Sequence, residues 1–437
     1  MFLNKLMAPQ SRNSSWKLLS NLKCTQKNIL TADAWMKARQ EEEGAENLWR
    51  VHDKLYDLNE WISKHPGGSQ WFKLTKGTDI TELFESHHIN MDTVNKILNK
   101  FYVRDATTNR LSPFTFKPDG FYNVLKCRVA KKLSSKELKK SVLKSILTVD
   151  ILMFMALVTC ALAAKTNIYS LAILSGIILG VGTVASHNFT HLKDNWRMYY
   201  MQLGLISVRE WRISHIFSHH IYTNTVKDLE ITLLFPFLHW YPSTDKPFHI
   251  RWFPYCTPVV YPFITLGQLG RRTLNFKNDK ADLIALIIPM ILLISGHLAY
   301  IDVIIMWLLV ILSTSSTFTF IGFSAAHHYP ENFHDGDELS EEYVDWGLYQ
   351  TDSCSERLEF DNIIVSLMTF GDHTLHHLFP ALDHSLIPYL QDIYDETCKE
   401  FGIEIITKSY IEYIFGQFKQ LVRLTPNKPI RSNVIVQ

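Results

Sequence analysis

Residues 168–191, Ile168-Tyr-Ser-Leu-Ala-Ile-Leu-Ser-Gly-Ile-Ile-Leu-Gly-Val-Gly-Thr-Val-Ala-Ser-His187-Asn-Phe-Thr-His191, join an apolar run to a pair of histidines. The apolar part spans about 18 residues, which at roughly 1.5 Å per helical residue nears the hydrocarbon thickness of a bilayer. The histidines stand four apart, so a helix carrying them puts both on one face. Both halves of this pattern recur along the chain.

Two further histidine clusters follow, His215-Ile-Phe-Ser-His219-His220 and His373-Thr-Leu-His376-His377. His215 and His219 repeat the four-residue spacing and share a face. The doubled neighbours diverge by about 100 degrees on a helix, which suits two ions sharing one cluster. Eight clustered imidazoles point to a polynuclear metal site at the lip of a membrane. All-imidazole sites suit iron, zinc, copper or nickel.

The apolar runs come in pairs. Residues 146–164 and 168–185 are separated by Lys165-Thr166-Asn167, and residues 283–300 and 303–323 by Ile301-Asp302. Two transmembrane helical hairpins are expected. Asp150 near the start of the first run is tolerable at an interface and costly at mid-depth. Lysines crowd ahead of the first run, Lys193, Arg197, Arg209 and Arg212 follow the second, and Arg271, Arg272, Lys277 and Lys280 precede the third. The hairpin turns carry one lysine between them, so both termini and all histidine clusters are expected on the cytosolic side. Residues 253–270, broken by Pro254, Pro258 and Pro262, read as a helix lying in the interface. Gly176, Gly180 and Gly182 are expected to allow close helix approach beside a substrate channel between the spans.

Near the N-terminus, His65-Pro66-Gly67-Gly68 reads as a haem site. An electron-transfer haem needs two imidazoles on opposite faces, and two glycines let the backbone turn close to the macrocycle. Leu55, Ile62, Leu74, Leu83 and Phe84 are candidate apolar walls, and His52 reads as an ordinary polar residue. The run Leu55 to Gly68, with Gly77-Thr-Asp-Ile-Thr-Glu-Leu-Phe84-Glu-Ser-His87-His88, resembles the haem-binding core of the cytochrome b5 family. The resemblance implies His65 and His88 as axial ligands, 23 residues apart, with His87 as the alternative to His88.

Boxes of the form HxxxH, HxxxHH and HxxHH around membrane hairpins are similar to those of the membrane fatty-acid desaturase and hydroxylase superfamily. The attached electron donor favours a redox-active pair of irons. Phe323-Ser-Ala-Ala-His327 looks like the extra ligand motif of the acyl-CoA desaturases and adds His327 as a ninth ligand. His328 and His334 are weaker candidates, and His239, His249, His297 and His384 match no box. The third box opens with His373 where front-end members carry Gln, and Phe323 stands where the acyl-CoA type has Asn. The metal ligands implied are therefore His187, His191, His215, His219, His220, His327, His373, His376 and His377. Asp194, Asp228, Asp335 and Asp372 are candidates to orient them, while Asn224 and Trp211 read as structural.

The expected architecture is an N-terminal tail (1–28), a small α+β cytochrome b5-like haem domain (29–105), and a linker with a basic juxtamembrane segment (106–144). An all-α membrane desaturase-like domain (145–400) with a cytosolic histidine-rich cap follows, then a C-terminal cytosolic tail (401–437). The resemblance implies haem b, two non-haem iron ions, O2 as co-substrate, and NADH acting through NADH-cytochrome b5 reductase. A fatty-acyl lipid or acyl-CoA is the implied substrate, and a multi-pass place in the endoplasmic reticulum membrane the implied location. A lipid hydroxylase would carry the same boxes, and a tethered haem carrier would carry inactive ones. A transporter would hold its histidines at mid-bilayer, whereas these lie outside the runs. A net charge of +1 gives no basis for nucleic-acid binding. Six scattered cysteines without a CxxC pair suggest neither a disulfide framework nor structural zinc. Residues 1–15 lack the apolar segment of a signal peptide.

Overall fold

The computed structural model describes residues 14–26, 31–133, 142–235, 237–275, 277–339, 344–358 and 362–429. Lys136, Lys139 and Lys140 of the basic juxtamembrane segment lie outside the described residues.

In the N-terminal domain, helix α1 (Ala32–Glu42) starts where the Thr31 side chain accepts a hydrogen bond from the Ala34 amide. An antiparallel sheet follows, of β1 (Trp49–Val51), β2 (Lys54–Tyr56) and β3 (Tyr102–Asp105), in that order. Trp49 pairs with Tyr56 and Leu55 with Arg104. Helices α2 (Gln70–Thr75), α3 (Thr81–His87) and α4 (Met91–Leu98) sit between β2 and β3. Trp49, Val51, Tyr56, Leu58, Ile80, Phe84 and Leu98 form the core of this small domain.

Three described helices are long and apolar enough to cross a membrane: α6 (Val142–Thr166), α7 (Tyr169–His191) and α10 (Tyr300–Phe323). Helices α6 and α7 form the first expected hairpin, turning at Asn167, whose φ is +55°. The second hairpin differs from expectation in its first arm. That arm is a 3-10 segment (Lys280–Leu286) leading into the nine-residue α9 (Ile287–Ser295). Pro289 falls in the first turn of α9, where its missing N–H removes no bond within that helix. The helix then stops at Gly296, whose backbone is extended and packs against Ala164.

Glycines and hydroxyl groups bring the spans together at several points among apolar side chains such as Met153, Leu179 and Val310. A Cβ on Gly176 or Gly180 would collide with α10 at Val310 or Thr317, and Gly182 faces Met153 of α6. Ser175 donates to the Ala156 carbonyl across α6–α7 (2.8 Å), and Thr314 to that of Gly176 across α7–α10 (3.1 Å). Such contacts hold helices together where lipid gives no hydrophobic driving force. At the other end of α6, Asp150 pairs with Arg197 through two bonds of 2.9 and 2.7 Å.

The segments expected as tails and linker are packed. Trp16 is buried against Phe114, Phe333 and Tyr349. Ser14 donates to Asp335 (2.9 Å), and Ser15 through its hydroxyl to the Asp337 carbonyl (2.7 Å). Within the expected linker, α5 (Phe121–Lys132) buries Phe121, Tyr122, Leu125 and Val129 in the core of the cap. Residues 253–270 form a 3-10 segment (Pro254–Phe263) and the start of α8 (Ile264–Leu274), leaving Tyr255, Val259 and Phe263 exposed. Helix α12 (Tyr410–Val422), in the expected C-terminal tail, buries Tyr413, Gln417, Phe418 and Leu421. Each buried face needs partners far away in sequence, which a local reading does not supply.

Candidate functional site

The first histidine pair ends α7, and the third cluster opens α11 (His373–Leu378). Ahead of α11, Phe370 and Asp372 hold φ values of +53° and +49° around Gly371. Left-handed backbone at two non-glycine residues is strained, and it persists where the surroundings impose it. The second cluster lies on a π-helical segment, Arg212–His219. Its wider turn changes the expected pairing. His215 and His219 stack with ring centres 5.4 Å apart, but His215 aligns with His220, five residues on, at an Nε2–Nε2 distance of 3.0 Å.

Nine imidazoles converge into two groups. His187, His191, His215, His220 and His376 form one, and His219, His327, His373 and His377 form the other, with the ligand atoms of each group within 4.8 Å of one another. The doubled histidines split as their divergence requires, one of each pair per group. His219 and His220 have ring planes 89° apart, as do His376 and His377. Nε2 atoms face each other between His187 and His376 (3.1 Å), His219 and His327 (3.1 Å), and His373 and His327 (2.6 Å). All nine rings are buried. Clustered buried imidazoles with converging lone pairs repel unless a cation sits between them, so this donor set fits two metal ions.

Behind several rings stand groups that orient them. His219 Nδ1 meets Asp228 at 2.8 Å, and His215 Nδ1 meets Glu230 at 2.8 Å. His377 Nδ1 lies 3.1 Å from Gln350 Oε1. Burial holds His215, His220, His327, His373, His376 and His377 below the usual imidazole pKa, leaving them neutral, the form that ligates. At His219 burial is outweighed by Asp228 and Glu230, and its pKa rises to about 8. Burial pushes Glu230 up to about 7.

Of the other expected orienting carboxylates, Asp194 pairs with Arg212 (2.7 Å), Asp335 accepts from the Val226 amide (2.9 Å) and Asp372 accepts from Ser366 (2.9 Å). Trp211 stacks on His215 at 4.4 Å, and Asn224 donates to the Phe333 carbonyl at 2.9 Å. His328 stacks on Trp240, and His334 bonds the Asn332 carbonyl; both lie outside the two groups. The sequence reading missed Glu230, Gln350 and His384. The His384 ring is buried 4.2 Å from that of His376, and neither of its nitrogens has a hydrogen-bond partner. No box motif marks any of the three.

A cavity of about 730 Å3 reaches His215, His219, His327 and His373 at its inner end, within the size range of small-molecule sites. Its walls come from residues 229–234, 237–238, 259–271 and the end of α10, including Leu234, Phe263, Phe318 and Phe323. Gly176, Gly180 and Gly182, expected beside a channel between the spans, are not among its lining residues. Its outer lining includes Phe237 and Val259, which are 58% and 71% exposed.

In the N-terminal domain a second cavity, about 530 Å3, is lined by His65 and His88 with Phe72, Leu83 and Phe84. Leu55, Ile62 and Leu74, expected as walls, pack elsewhere. The His65 and His88 ring centres are 6.2 Å apart. Two imidazoles bound to opposite sides of one ion at about 2 Å per bond stand about 6 Å apart, so this pair fits a haem iron. Their Nδ1 atoms meet the carbonyls of Gly68 (3.1 Å) and Phe84 (2.9 Å), leaving Nε2 for the iron. Burial lowers both, His88 to about 4. His87 turns instead onto Trp71, at 5.1 Å. His52 bonds Glu85 at 2.8 Å.

The fatty acid desaturase family matches residues 166–409, more than half of the chain, and the cytochrome b5-like heme/steroid binding domain family matches residues 34–107. The chain is 38% identical over 410 residues to the cytochrome b5-related protein of Drosophila melanogaster, covering 91% of this chain and 93% of that one. It is 24% identical to the Delta(5) fatty acid desaturase A of Dictyostelium discoideum, over 86% of this chain and 89% of the relative. It is 22% identical to the acyl-lipid (8-3)-desaturase of Mortierella alpina, over 87% and 94%. No solved structure matches the chain significantly. A haem-type N-terminal domain joined to a helical membrane domain with three histidine boxes makes this chain a member of the fatty acid desaturase family, carrying its own cytochrome b5-like domain.

Proposed function

We propose that the protein is an O2-dependent fatty-acyl desaturase of the endoplasmic reticulum membrane, with its histidine boxes and both termini cytosolic. The observation that carries this reading is the convergence of nine buried imidazoles, four of which line the inner end of an apolar cavity. The five-imidazole and four-imidazole groups would each hold one iron, and His65 and His88 would hold haem b. Bound there, the irons supply O2 activation and C–H cleavage, and the haem supplies single electrons received from NADH through cytochrome b5 reductase.

The chain's own residues do the positioning. Asp228 and Glu230 fix the tautomers of His219 and His215 so that Nε2 faces the ion. Leu234, Phe263, Phe318 and Phe323 exclude water and line a path for an apolar chain toward the imidazoles. Phe237 and Val259 at the outer end fit entry of that chain from the apolar side. The half-buried Arg197–Asp150 pair suits a position of its end of α6 at the polar interface, on the side where the positive charges gather.

Expression in a yeast lacking its own desaturases, with lipid profiling by mass, tests the reading. Products lighter by two hydrogens support desaturation, and products heavier by one oxygen make the protein a hydroxylase. If purified material with haem holds no further iron and yields no product, it is a tethered electron carrier.

A further inference from the structure

The cleft between His65 and His88 is not closed by the domain that carries them. His191, Leu192, Lys193 and Ala381 of the membrane domain line it as well. His191 also belongs to the five-imidazole group, is buried, and has no hydrogen-bond partner at either ring nitrogen. One side chain thus borders both sites.

The cleft is held against this edge. The Asp194 amide donates to the Gly67 carbonyl (3.1 Å), joining the HPGG turn to the loop after the first histidine box. Arg212 donates to Gln70 and Asp194, each at 2.7 Å, and its guanidinium lies 4.9 Å from the Trp71 ring centre. Gly68 has φ +110°, and a side chain there would run into Asp194. On the cleft's inner wall, His87 packs on Trp71, and its buried Nε2 has no partner.

Charge completes the picture. Haem b carries two carboxylates that remain at the mouth of an apolar cleft. Among the described lining residues Lys193 is the one lysine or arginine, and none is acidic. Lys193 is itself exposed, so its ammonium is available at that mouth.

We propose that the haem site is shared between the two domains. Lys193 pairs with a haem propionate, Leu192 covers the macrocycle edge, and His191 is the wall common to the haem cleft and the five-imidazole group. This rests on the haem reading of His65 and His88.

The test uses the full chain in detergent, as native protein, Lys193→Glu and Lys193→Arg. Haem transfer to excess apomyoglobin is followed by absorbance, and the haem midpoint potential by spectroelectrochemistry. An exposed ion pair predicts about three- to fivefold faster haem loss in Lys193→Glu. Its potential falls, because a carboxylate near the iron favours the ferric state, while Lys193→Arg matches native protein. Native haem retention and native potential in Lys193→Glu overturn the shared site. Failure of the native protein to show a two-histidine haem spectrum overturns the haem reading itself.

Discussion

His65 and His88 lie 23 residues apart within one small domain, whereas the nine clustered imidazoles come from four segments between residues 187 and 377. The haem-type pair turns its Nδ1 atoms onto backbone carbonyls, and two of the clustered rings turn theirs onto Asp228 and Glu230. A carbonyl orients a neutral ring and adds little charge. A carboxylate also makes the ring a stronger donor to a metal ion. The difference teaches that the histidine pair of one site is oriented by local chain geometry and the histidines of the other are gathered by the tertiary fold.

The severest way to break this contrast is His376→Ala. It should abolish any new lipid product in the yeast assay while leaving the haem spectrum native. Loss of the haem spectrum would show that the local site depends on the distant one. In the N-terminal domain, His88→Ala should remove that spectrum and His87→Ala should retain it; the reverse result would exchange their roles. Asp228→Asn should weaken non-haem metal affinity by about 10- to 100-fold, measured by competition with a chelator. Equal affinity in the two proteins would mean that the carboxylate is not needed.

Titration sharpens the local side. Burial lowers His88 to about 4 and His87 to about 3, against about 6.5 in an unfolded chain. Between these values the unfolded chain binds more protons. The stability of the haem-free N-terminal domain is therefore full above about pH 6.5 and is lost as pH falls toward 4. Urea unfolding of the haem-free protein at pH 7.5 and 5 checks the sign. The smallest effect is expected at Gly180→Ala, where overpacking against Thr317 should cost about 1–3 kcal/mol, read as a lowered thermal midpoint in detergent.

The histidine boxes were legible because they depend on spacing along one helix, and the spans because hydropathy needs no partner. The haem-type pair was legible through the resemblance of Leu55 to Gly68 and Gly77 to His88 to the cytochrome b5 family, with Gly67 and Gly68 marking its turn. Glu230 and Gln350 were not, since nothing local distinguishes an acid or amide that meets a distant ring. The π-helical segment hid the alignment of His215 with His220, because a period of 3.6 residues puts His219 there instead. Pro289 and Gly296 did stand in the third apolar run. Their effect, a short helix after a 3-10 segment, is set by packing against α6.

Ser14 and Asp335 meet although 321 positions separate them. At about 5–20 residues per second, the ribosome needs some tens of seconds to deliver the second partner after the first. The earliest-made piece of this region is therefore among the last to dock, with Trp16 waiting for Phe333 and Tyr349. A nascent chain stalled short of residue 333 should expose Trp16 to protease, and release of the finished chain should hide it.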